Sequence, residues 1–150
     1  WWLAAHWLST LGPPGSDGAT TVLITGLIAC VCLGIYVVLL GSSGAAYEFM
    51  RRFGVYVFFL FTVIAQWRLA SAYRHASATL ATISRWQRLL AVAMVLSGIA
   101  NLVLKEIVAD PDSLENVIEW NFAVVMFANL GLLTLAWRAT GFRLSFHTGR

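Results

Sequence analysis

The chain has 150 residues, 59% of them hydrophobic and 11% charged, with a formal net charge of +3 and a mean hydropathy of +0.76. A soluble domain carries about 25% charged residues, so a water-facing globule is excluded. The length accommodates four spanning helices of about 20 residues with their connections and no separate soluble domain. The pattern predicts an all-α, polytopic transmembrane four-helix bundle, spans 21–40, 53–67, 89–104 and 117–137, within a domain of residues 20–150.

Residues 1–19 come before it. The chain opens at Trp1 with no initiating Met, so a preceding piece, with room for further helices, is expected. WWLAAHWLST is too short to span; its Trp1, Trp2 and Trp7 belong to the residue type that settles at headgroup level. This reads as an interfacial helix or the end of an earlier span. LGPPGSDGATT then breaks the helix, with Asp17 and Thr20 as candidate N-caps.

The first span carries no charge across residues 21–40. Gly26, Cys30 and Gly34 recur at i, i+4 and i+8, a small-residue groove that another helix could approach closely. Cys30 and Cys32 point about 200° apart on a helix, and no second cysteine pair completes a metal site. Both read as reduced core cysteines.

GSSGAAYEFMRR turns the chain into an aromatic second span, bracketed by Arg51 and Arg52 on one side and Trp67 with Arg68 on the other. Glu48 lies three and four residues before the two arginines, the spacing of a local ion pair. A lipid-headgroup or substrate contact is the alternative for this cluster. The next connection holds Arg68, Arg74, Arg85 and Arg88 and no acidic residue; helical ends around a loose middle are expected. His75 reads as an exposed histidine rather than a ligand. Trp86 anchors the entry to the third span, in which Ala93, Ser97 and Asn101 stack at i+4 spacing.

KEIVADPDSLENVIE is acidic, and Ser113 with the carboxylates around it suits a helix start. It lacks the residue order of a calcium loop. In the fourth span, bounded by Trp120 and Trp137, Asn129 is the expected partner of Asn101, an interhelical amide clamp worth about 0.6 to 2 kcal/mol. Arg138, Arg143 and Arg150 join the basic loop to place seven Lys and Arg on one side, against Arg51, Arg52 and Lys105 on the other. The positive side is cytoplasmic by rule, so both ends of the chain are expected inside. The charge excess thus follows topology, and nucleic acid is not an expected partner.

GLIACVCLGI in the first span, the polar turn with its aromatic span, and Glu119-Trp120 opening the last span together resemble the C-terminal four helices of the damage-regulated autophagy modulator family. That family also includes fungal Sfk-type proteins and relatives acting in GPI-anchor processing. The resemblance implies six membrane helices with cytosolic ends and a lipid-related or membrane-organising role. LGPPGSDGATT lacks the expected upstream polar signature, and Glu48 stands where a more polar, His-containing helix entry belongs.

The reading from the residues alone is an accessory subunit of a larger membrane complex, respiratory or photosynthetic, acting by helix packing with other transmembrane subunits and with membrane lipids. Pigment ligation at His6 is the sharper alternative to an interfacial histidine and is disfavoured, because His6, His75 and His147 all fall outside the spans. No nucleophile with a base in reach and no ligand cluster lies within the spans, so neither enzyme nor cofactor is expected beyond bound lipid.

Overall fold

A computed structural model describes residues 1–12, 17–104, 106–107 and 111–143, and for residues 51, 111, 112, 115 and 116 the backbone alone. Pro13, Pro14 and Gly15 of the linker, Lys105, Asp110, His147 and Arg150 lie outside the described residues. Among those described there are five helices and no strand: α1 (Trp2–Leu11), α2 (Asp17–Val38), α3 (Ala45–Tyr73), α4 (Ala78–Leu104) and α5 (Pro111–Ala139). The four long ones, with α5 counted from Val117, are long and apolar enough to cross a membrane. The chain is a multi-pass integral membrane protein. Its outward faces carry Val38, Phe127 and Val124, 78%, 72% and 64% exposed, a surface that suits hydrocarbon and would aggregate in water.

The helices overrun the apolar windows that betray them. At 1.5 Å per residue a 29-residue helix is about 44 Å long, against a hydrocarbon core of about 30 Å, so α3 and α5 project into the headgroup region. Most of the basic loop is therefore helix. The connection between α3 and α4 is only residues 74–77, where the Leu80 amide donates to Ser77 Oγ at 3.2 Å, capping α4. The α2 to α3 connection closes through Gly41 and Gly44 at φ 87° and 118°, a region open to glycine.

Consecutive long helices pack in sequence, α2 on α3, α3 on α4 and α4 on α5. At the end shared by α1, the α3–α4 turn and the C-terminal end of α5, Trp7 is fully buried beside Tyr73, Leu69, Leu80 and Leu133. Its indole N–H donates to Thr140 Oγ1 at 3.0 Å. Trp7 is thus a core residue and not a headgroup anchor: α1 folds back onto α2 and α3, while Trp2 on its outer face stays exposed. After α5, the Phe142 amide reaches the Trp137 carbonyl at 3.0 Å and the Gly141 amide the Arg138 carbonyl at 3.2 Å, a Schellman closure with Gly141 at φ 64°. It brings Phe142 back against Trp137 and His6.

The small-residue groove on α2 is corrected. Gly26 is filled by Trp1, since a Cβ there would stand 2.1 Å from the Trp1 ring, whereas at Gly34 it would meet nothing within 4 Å. Cys30 is exposed and only Cys32 is buried; both are free thiols. A four-residue repeat rotates by about 40° per step on a 3.6-residue helix, so the stripe winds away from the neighbour. The close approach comes from the other helix. A Cβ on Gly54 of α3 would lie 3.0 Å from the Cys32 carbonyl oxygen and 3.3 Å from the Tyr36 amide nitrogen.

Candidate functional site

Two amides embedded in this apolar bundle have opposite fates. Asn129, 3% exposed, donates to Gln66 Oε1 at 3.1 Å and accepts from Gln87 Nε2 at 3.0 Å. Gln87 in turn accepts from the Tyr73 hydroxyl. The network ties α3, α4 and α5 together, and Ser84 adds a hydrogen bond to the Ala70 carbonyl at 2.7 Å. Asn129 has spent its donors and acceptors on protein.

Asn101 has not. It is 8% exposed, and its Oδ1 is buried with no hydrogen-bond partner. The expected clamp between Asn101 and Asn129 is absent. Asn129 is level with Gln87, 14 residues before Asn101 on α4, which at 1.5 Å per residue separates the two amides by about 21 Å. Asn101 lies three residues from the end of α4, whereas Asn129 lies 18 residues into α5, so the two amides sit at different depths.

Asn101 lines a cavity of about 490 Å³ between α3, α4 and α5. Its walls are apolar, with Phe59, Val63, Met94, Gly98 and Phe122 at the back and the exposed Leu60, Val95 and Ile99 at the mouth. Met94, Ile118 and Phe122 pack as one cluster, and Phe59 stacks on Phe122 at 4.2 Å, so the back wall is built of interlocked side chains. The polar residues gather at one end: Arg52, Asn101 and Glu119, with the Tyr36 and Tyr56 rings beside them. Register explains this gathering. Ser84 is bonded to Ala70; Arg52 lies 18 residues before Ala70 and Asn101 lies 17 after Ser84, so antiparallel helices bring them to nearly one level. The chamber is long, oily and open towards lipid, with mixed charge and one unused buried acceptor at its end.

Among the predicted residues, Arg52, Asn101 and Glu119 thus meet at one site. Glu48 and Arg52 are both exposed and form no ion pair with each other; the Arg51 side chain lies outside the described residues. Ser97 is half-buried on α4. Trp67, Trp86 and Trp120 are exposed, and Trp137 is partly buried against the α1 end. His6 stacks on Trp2 at 5.5 Å between ring centroids. Among the described residues no group of three or more His, Cys, Asp or Glu side chains could hold a metal ion. Residues not singled out in the sequence are Gln66, which lies in a span read only for its aromatic residues, and Tyr73 and Gln87, hidden by the reading of residues 68–88 as a connection. No family model, curated protein or solved structure matches this chain.

Proposed function

We propose that this protein is a non-catalytic membrane protein that holds one amphipathic lipid molecule in the cleft between α3, α4 and α5. The observation that carries the reading is the unspent Asn101 carbonyl at the polar end of an apolar, laterally open chamber. Leaving a buried acceptor unmade costs about 1–3 kcal/mol, and a bound headgroup donor removes that cost. Small-molecule sites have this make-up, apolar walls with a few convergent polar groups. A lipid-related role also agrees with the resemblance to the autophagy modulator and Sfk-type proteins. By the charge count the polar end of the cleft faces away from the cytoplasm, with the described termini on the cytoplasmic side.

A second reading, an accessory subunit packed against other transmembrane chains, draws on one observation. Cys30 and Gly34 are exposed on α2 and unused by the chain's own packing, so a foreign helix has a small-residue face to approach.

Native mass spectrometry of the chain extracted in mild detergent tests the first reading. Wild type is expected to carry one lipid per chain, and Gly98→Leu to lose it, since the added side chain projects into the cleft while its Cβ makes only an ordinary 3.6 Å contact with Phe122. Equal retention in both, with Val124→Leu on the outer face as control, refutes the cleft as the site.

A further inference from the structure

We infer that the cleft selects a zwitterionic phospholipid with a hydrogen-bearing ammonium, an ethanolamine-type headgroup rather than a choline. This rests on the reading that the cleft holds a lipid at all. The described polar lining brings one cation, Arg52, and one anion, Glu119, so the site is balanced in charge and suits a headgroup that is itself balanced. Guanidinium groups hold phosphate through directed N–H donors. The other headgroup charge then faces Asn101, whose buried Oδ1 has no donor from the protein. An amide oxygen accepts and cannot be satisfied by a quaternary ammonium, which has no N–H to give. A primary ammonium has three.

An apolar path continues below the headgroup. A second hollow of about 370 Å³, lined by Ile64, Trp67, Ala91 and Leu96 with Arg68 at its edge, shares Val63 and Val95 with the first and prolongs it along the seam of α3 and α4. From the level of Asn101 to that of Ala91 is 10 residues, about 15 Å along the helix, and Trp67 and Arg68 lie beyond it, towards the opposite end of the span. An acyl chain entering beside the headgroup runs down this seam.

The test uses the full chain reconstituted in vesicles holding equal amounts of phosphatidylethanolamine, its N-methyl and N,N-dimethyl derivatives, phosphatidylcholine and phosphatidylglycerol. Lipid retained after mild extraction is then read by native mass spectrometry. Retention is expected to hold through the dimethyl derivative, which keeps one N–H, and to fall about tenfold at the trimethyl step, the scale of one hydrogen bond to a buried acceptor. Phosphatidylglycerol, a donor with net negative charge, is expected below phosphatidylethanolamine. Asn101→Leu should retain lipid and lose the step; if that variant does not fold, the methylation series on wild type decides alone. Equal retention of choline and ethanolamine lipids, or preference for phosphatidylglycerol, overturns the headgroup assignment while leaving the cleft standing. No retained lipid in wild type, or retention unchanged by Gly98→Leu, removes the cleft itself.

Discussion

The two asparagines carry opposite expectations for stability. Asn129→Leu strands Gln66 and Gln87 among apolar side chains and should cost about 1–3 kcal/mol, read as a lower thermal midpoint in detergent. Asn101→Leu removes an acceptor that has no partner, and in delipidated protein it should leave the midpoint unchanged or raise it. The double change should be additive, because residues about 21 Å apart with no shared partner do not couple. A large loss from Asn101→Leu without lipid would mean that its carbonyl is used within the fold. That two intramembrane amides matter was legible from Asn101 and Asn129 alone. Which groups Asn129 meets was not, because Gln87 lies in a stretch read as a connection and Gln66 in a span read only for its aromatic residues.

Helix pairing turns on Gly54 rather than on the glycines of α2. Gly54→Ala drives a methyl group against the Cys32 carbonyl at 3.0 Å, backbone that cannot step aside, so α2 and α3 must separate at a cost of about 1–3 kcal/mol. Gly34→Ala meets nothing within 4 Å and should be neutral or stabilise α2 slightly through helix propensity. Thermal midpoints of the two variants in one detergent compare them directly; the reverse order would restore the α2 groove as the packing surface. The α1 helix is anchored by Trp7, and Trp7→Phe should lower the midpoint modestly through loss of the 3.0 Å bond to Thr140. Tryptophan is ambiguous in sequence, since an amphipathic ring suits a headgroup layer and a core with one polar contact equally well. Ala4, Ala5 and Leu8, buried on the same face, decide it for Trp7.

Four spans and an all-helical fold were legible because long, nearly uncharged apolar runs have few alternatives in water or lipid. The cleft was not, although Arg52, Asn101 and Glu119 each stood out, since they lie on three helices and only the register of α3, α4 and α5 gathers them. Sidedness follows from charge: a cysteine at Ser43 in the α2 to α3 turn should react with a membrane-impermeant thiol reagent in intact cells, and one at Ala76 should not. The reverse pattern would invert the topology. Photolabelling bears most directly on the proposal that one face of this bundle binds lipid while the rest is merely solvated by it. A phosphatidylethanolamine with a photoreactive group in its acyl chain is activated in reconstituted vesicles, and the labelled peptides are mapped. Labelling is predicted to concentrate on the cleft mouth, at Leu60, Val95 and Ile99, and to fall away in Gly98→Leu. Labelling spread evenly over outward residues such as Val31, Val38, Val124 and Phe127, and indifferent to that substitution, would contradict it.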